Sequence, residues 1–287
     1  CIRDSLEINP SLVVVVGDVN STLAGALTAN RIGLPLAHIE SGLRSFDTSM
    51  PEEWNRILTD RMSDLLFVSE PSGLENLRKE GIKEDRIFFV GNTLIDALVA
   101  FLPKINECKI CSEMTLEPEN YIVITLHRPS NVDSKDKLSK YIRIIKDVAG
   151  ECRVVFPVHP RTLKNLERFN LMDELNGKDY VKLCEPLPYI EFIALVKNSL
   201  CVITDSGGIQ EETTFLNKPC LTLRTNTERP ITITWGTNEL IPPSSECILQ
   251  AIKKIKKNQW KKCESPPPLW DGMASLRITK IIKNFLN

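Results

Sequence analysis

Long apolar runs, histidine, net charge and nucleotide-triphosphate signatures are all scarce in this sequence of 287 residues, and each scarcity removes a class of function. Apolar stretches such as residues 12–16 fall far short of the roughly 20 needed to cross a bilayer, so no membrane segment is expected. With 36 basic and 37 acidic residues the formal net charge is -1, and no global field favours nucleic acid or an anionic membrane. An anionic ligand must therefore be held locally. Neither G-x-x-x-x-G-K-[ST] nor G-x-G-x-x-G occurs, which takes away the usual signals of NTP hydrolysis and dinucleotide chemistry. Cys108 and Cys111 form the only C-x-x-C, and no second pair or nearby His completes four zinc ligands. No metal and no other cofactor is expected. The cysteines number nine, an odd count, and Cys184, Cys201 and Cys220 sit at or beside apolar runs, where a thiol acts as a small hydrophobe; a reducing cytoplasm fits.

What is present is a βαβ rhythm. Short β-branched runs at 12–16, 36–39, 65–68 and 87–90 alternate with helix-period segments at 22–32, 54–63, 71–79 and 93 to about 100, the pattern of a parallel sheet covered on both faces. Residues 103–120 lose periodicity and carry prolines, cysteines and mixed charge, which predicts a linker. A second series follows, with strands at 121–125, 154–157, 181–184, 200–204 and 220–223 and helices near 137–149, 190–196 and 209–216. The expected fold is α/β with two Rossmann-like domains, at 1–102 and 121–265. Lysines crowd a late helix from Lys253 to Lys262 and read as a solvated face. In the last segment, 266–287, a proline-stiffened connector leads to an amphipathic helix that is expected to pack back on the first domain.

The sharpest chemical signal is Thr204-Asp205-Ser206-Gly207-Gly208-Ile209-Gln210-Glu211-Glu212, after an apolar strand and at the opening of a helix. Ser206, Gly207 and Gly208 let the backbone approach an anion while the free N–H groups of the first helical turn point at it, and Glu212 stands where a carboxylate can accept from ribose hydroxyls. A plain strand-to-helix turn with a Ser cap would read the same way. Asp18 and Glu40 each follow a strand directly, at the carboxyl ends where ligands bind in parallel sheets, and Glu52 and Glu53 lie in the segment after Glu40. Taken singly, each is equally a helix cap or a surface acid. The three histidines, His38, His127 and His159, stand at strand ends, and the pairs His127-Arg128 and His159-Pro160-Arg161 suit a diphosphate. Arg229 beside Glu228 offers a guanidinium fork to a phosphate or carboxylate, although a surface ion pair is identical in sequence.

In order, Gly17-Asp18 with Ser21-Thr22, His38-Ile39-Glu40-Ser41-Gly42-Leu43-Arg44, Pro51-Glu52-Glu53, His127-Arg128, the 206–212 run and Thr227-Glu228-Arg229-Pro230 resemble non-hydrolysing UDP-N-acetylglucosamine 2-epimerases over essentially the whole chain. The resemblance implies two Rossmann-like domains of the glycosyltransferase-B type with an active-site cleft between them, a cytoplasmic homodimer, and interconversion of UDP-GlcNAc and UDP-ManNAc for surface polysaccharide through UDP elimination to 2-acetamidoglucal. It assigns acid/base work to Asp18, Glu40 and Glu52 and a place at the diphosphate to His127. Ser206, Gly207, Gly208, Glu212 and Arg229 match nucleotide-binding positions, Phe192 an aromatic position near uracil, and Arg128 and His159 a possible second substrate site. Three positions depart from the family pattern: Ser130 replaces a frequent Glu, Leu187 a Gln and Ile231 a Glu. The resemblance also predicts a preceding βαβ portion with a G-T-R-P-E motif that nothing before Cys1 supplies. A hydrolysing epimerase, a glycosyltransferase of the same architecture and a non-catalytic nucleotide-sugar binder are the rival readings.

Overall fold

The β-branched runs do form strands, and every strand pairing is parallel, so each connection must cross over, in most cases through a helix. The computed structural model describes residues 7–175 and 180–287. They divide into two units, each described by itself.

The first unit comprises the chain up to Val99 with Thr227–Ile231 and Pro266–Asn287. Its sheet runs β1 (Val13–Val16), β2 (Leu36–Ser41), β3 (Leu65–Val68), β4 (Ile87–Phe89), in spatial order β1-β2-β3-β4. The helix Asn20–Ile32 stops at Gly33, whose left-handed φ of 73° lets its N–H reach back to the carbonyls of Ala29 and Asn30. The helix Pro51–Met62 opens with proline at its start, where a missing N–H costs nothing. The final helix, Ala274–Leu286, is begun from elsewhere: the Asp96 carboxylate accepts the N–H groups of Ala274 and Ser275, at 3.0 and 2.6 Å. Its Ile278, Ile281 and Ile282 pack with Ala37, Leu65, Phe67 and Val90. Trp270, buried on the way in, donates from Nε1 to the Ser69 carbonyl. Gly42, at φ 78°, passes so close to Gly73 that a Cβ there would come within 2.5 Å of its carbonyl oxygen.

The second unit comprises Ala100–Asn226 and Thr232–Ser265. Its strands are β5 (Tyr121–Thr125), β6 (Arg153–Pro157), β7 (Val181–Cys184), β8 (Cys201–Thr204), β9 (Cys220–Thr222) and β10 (Asn238–Leu240). The order β10-β9-β8-β5-β6-β7 has the chain running one way from β5 and the other way from β8. The point between β5 and β8 is thus the topological switch, outside whose carboxyl ends open α/β sheets bind their ligands. The helix Lys135–Ala149 buries Leu138, Tyr141, Ile142, Ile145 and Val148 at helical spacing against this sheet's core. In the helix Ser245–Lys256, Ile248, Ala251, Ile252 and Ile255 turn inward while Lys253, Lys254 and Lys256 stay exposed.

One expectation is corrected. The helix opened at Thr93 does not stop near residue 100 but runs to Glu107 through Pro103, and a short helix, Ile110–Glu113, occupies the segment predicted to be an irregular linker. The apolar face continues past the proline, with Leu98 and Ile105 both buried, and that burial offsets the lost N–H and ring clash of about 3 kcal/mol. Among the described residues, no helix is long and apolar enough to cross a membrane.

Candidate functional site

In the first unit the acidic positions gather around one buried arginine. The chain leaves β1 through Gly17, at φ 70°, whose N–H bonds the Ile39 carbonyl of β2, so Asp18 and Glu40 emerge side by side at the ends of adjacent strands. Glu40 itself stands at a register break in β2, with φ 65°, a left-handed conformation costly for a residue with a side chain. Arg56, on the helix Pro51–Met62, is 2% exposed. Its Nη2 lies 2.8 Å from Asp18 Oδ2 and 3.8 Å from Glu40 Oε2. Arg229 brings Nη2 to 3.7 Å from the same Glu40 oxygen, while its Nη1 donates to Glu228 Oε1 at 2.7 Å. Glu52 is exposed in the first turn of the Arg56 helix, one turn before that arginine. Its neighbour Glu53 is buried and accepts from Ser45 N–H, Ser45 Oγ and Phe46 N–H, which ties down the loop after β2.

Beneath these carboxylates lies a second buried set. His38 donates from Nε2 to the Gly17 carbonyl, at 2.8 Å, and from Nδ1 to Asp60, at 2.7 Å, since both partners are acceptors. Asp60 also takes Arg44 Nη2 at 2.7 Å and the Gly42 N–H at 3.1 Å. Burial pushes the Asp60 carboxyl up, but His38 and Arg44 outweigh it and hold the group below the usual carboxylate range. The cluster couples the turn before Asp18 to the strand that carries Glu40.

In the second unit the switch point carries the histidine. Asp205, fully buried just beyond β8, accepts the His127 N–H, the Arg128 N–H and Asn131 Nδ2 at 2.9–3.1 Å. His127 Nδ1 lies 2.8 Å from Asp205 Oδ1, and Arg128 Nε donates to the Asp205 carbonyl. Burial alone would raise this carboxyl; His127, the Arg128 N–H and Asn131 together hold it low. The His159 ring lies 5.4 Å from that of His127. His159 caps the helix Pro160–Arg168, its Nδ1 accepting the Arg161 N–H, and burial with the nearby His127 and Arg161 lowers its proton affinity.

Ser206 follows Asp205, with its N–H on Thr204 Oγ1, and the helix Gly208–Phe215 begins at Gly207 with no side-chain cap. The Gln210 N–H turns to the Gly207 carbonyl, and the N–H groups before it in the turn are those a ligand would meet. Glu212, one turn further on, is buried. Burial pushes its carboxyl up to about 7, the Tyr189 hydroxyl partly opposes this, and Glu211 adds to it. Phe192, half-buried, lies one turn along the helix Tyr189–Asn198 from Tyr189.

The structure therefore gathers Asp18, Glu40 and Arg229 around Arg56, and His127, Arg128 and His159 near Asp205 beside the Ser206 turn. Arg229, matched by sequence to nucleotide positions, stands with the Glu40 cluster. Arg56, Asp60 and Asp205 escaped sequence reading, although Arg56 lies four residues beyond Glu52 on one helix face. Among the described residues, no group of His, Cys, Asp or Glu could hold a metal ion, and Cys108 and Cys111 are free thiols.

A family model described as UDP-N-acetylglucosamine 2-epimerase matches residues 3–283. A UDP-N-acetylglucosamine 2-epimerase of Methanococcus maripaludis is 43% identical over 286 residues, covering 96% of this chain and 76% of the relative. A Pseudomonas aeruginosa UDP-2,3-diacetamido-2,3-dideoxy-D-glucuronate 2-epimerase is 39% identical over 252 residues, covering 86% of this chain and 68% of the relative. The crystal structure of Methanocaldococcus jannaschii UDP-GlcNAc 2-epimerase in complex with UDP-GlcNAc and UDP superposes with a TM-score of 0.89 at 40% identity, covering 99% of this chain and 78% of that one.

Proposed function

This chain belongs to the UDP-N-acetylglucosamine 2-epimerase family, and on that premise we propose how its carboxylates and its phosphate-binding turn divide the work. It is an isomerase that interconverts UDP-GlcNAc and UDP-ManNAc. The C2 hydrogen of the sugar has no adjacent carbonyl to acidify it, so a free carbanion is a costly first step. Breaking the bond from C1 to the diphosphate oxygen is easier. The electron pair of that bond leaves with UDP, the C2 proton goes to a carboxylate, and 2-acetamidoglucal forms. Re-addition of UDP with a proton delivered to the opposite face of C2 gives the epimer.

The observation that carries this reading is the placement of Asp18 and Glu40 within reach of one guanidinium, Arg56, at 2.8 and 3.8 Å. Two carboxylates on adjacent strand ends can serve as the acid and base, with Glu52 as the third candidate. For the leaving group, the Ser206 hydroxyl and the N–H groups of Gly207 and Gly208 stabilise the developing charge together with His127. Glu212 accepts from the ribose hydroxyls and Phe192 lies against the uracil. Arg229, beside Glu40, joins the sugar-facing groups. Arg128 and His159 form the candidate second substrate site, and the working form is a cytoplasmic homodimer.

Incubating the protein with UDP-GlcNAc in deuterated buffer and following C2 by proton NMR tests the mechanism. Deuterium at C2 of UDP-ManNAc is expected; product without it refutes proton transfer. Free ManNAc with UDP would instead identify a hydrolysing enzyme. Turnover only of a 2,3-diacetamido glucuronate substrate would move the assignment to the chemistry of the Pseudomonas relative.

A further inference from the structure

A buried carboxylate is costly to desolvate unless its lone pairs are used, and Asp205 uses its oxygens on the segment that carries His127. We propose that Asp205 is a positioning residue that commits Nδ1 of His127 to carry a hydrogen, leaving Nε2 as the nitrogen that meets the substrate diphosphate.

The orientation is over-determined. The backbone N–H of His127 lies 3.1 Å from both Asp205 oxygens and that of Arg128 lies 3.0 Å from one, so the carboxylate fixes the main chain as well as the ring. Behind it, Tyr141 donates to Asn131 Oδ1 at 3.0 Å and Asn131 Nδ2 donates to Asp205 at 2.9 Å. That sets the Asn131 amide, and the amide in turn leaves the Asp205 oxygens no freedom to rotate. Tyr141 stays a phenol, because burial and the nearby Asp205 push its hydroxyl up to about 12. Arg128 is anchored on the Asp205 carbonyl, and His159, whose Nδ1 already accepts from Arg161 N–H, carries its own hydrogen on Nε2. Asp205 is thus the acceptor that holds the Nδ1 hydrogen of His127. With both nitrogens protonated, Nδ1–H remains on Asp205 and Nε2–H donates to the diphosphate oxygen as it receives the electron pair of the breaking C1–O bond. This step rests on the function proposed above.

The test is nitrogen NMR of the histidine-labelled full chain, assigned with His127→Gln. In the native protein, the neutral form of His127 is expected to carry its hydrogen on Nδ1. A neutral form protonated on Nε2 overturns the proposal whatever the activity does. In Asp205→Asn, the Nε2–H tautomer should appear and kcat should fall about 100-fold, with UDP affinity changed less than about threefold. Unchanged kcat in that variant also overturns the proposal. If native His127 shows the Nδ1–H form while no epimerisation of UDP-GlcNAc is found, the assigned reaction fails and the tautomer assignment stands.

Discussion

Glu212 allows a test in which one buried carboxyl is read through pH. Its ordinary value is 4.5 and burial raises it to about 7. At about 1.4 kcal/mol per pH unit, that interval corresponds to about 3 kcal/mol of disfavoured ionisation in the folded chain. The sign follows from linkage. Below about pH 4.5 the group is protonated folded and unfolded, and nothing is lost. As pH rises, the unfolded chain sheds this proton first, so stability falls until about pH 7, above which the full cost is present. Glu212→Gln keeps the shape and cannot ionise. Urea unfolding of both proteins by circular dichroism should show the variant gaining on the native chain from about pH 5 to about pH 8, by about 2–3 kcal/mol in total. A difference between the two proteins that is the same at every pH would refute the argument. If ionised Glu212 is the form that accepts from ribose, UDP binding near neutral pH should also release a fraction of a proton, visible by calorimetry in buffers of different ionisation enthalpy.

Two further substitutions test the first unit. Arg56→Met strips the cation from Asp18 and one of the two beside Glu40, carboxylates 22% and 21% exposed, so the loss should fall below that of a fully buried pair, at about 2–3 kcal/mol, and turnover should collapse. A loss under about 0.5 kcal/mol in urea unfolding would sink the view that this arginine neutralises both acids. Gly33→Ala and Gly42→Ala compare two left-handed glycines, at φ 73° and 78°. Nothing lies within 4 Å of a Cβ at Gly33, so only the backbone preference of about 1–2 kcal/mol is forfeited there. At Gly42 the Gly73 carbonyl is in the way, and thermal unfolding should show at least about 1 kcal/mol more. Equal losses at the two positions would refute the steric part of the argument.

How much was legible in the sequence depends on how far apart the interacting groups lie. Strands β1 to β9 follow from short β-branched or apolar runs, because their local pattern has to suit a pleated, buried surface. Asp18, Glu40 and His127 were found because a polar residue directly after such a run must sit at a strand end. The strand Asn238–Leu240 was missed: it has three residues, one of them charged, and only its pairing with Cys220–Thr222 makes it a strand. The passage of the helix through Pro103 was missed because local propensity argues against it and tertiary burial of Ile105 decides it.

By itself, then, the sequence determined the alternation of elements, the chemistry available at strand ends and the motif order that marks the family. Those are properties of neighbours along the chain, where sterics and hydrophobic period act within a few residues. The tertiary structure alone decided that Arg56 stands between Asp18 and Glu40 and that Arg229 turns toward Glu40. It alone seated Asp205 on His127, 78 residues distant. Charges that share a desolvated site are chosen by the fold that encloses them, and no local pattern records which distant partner will be there.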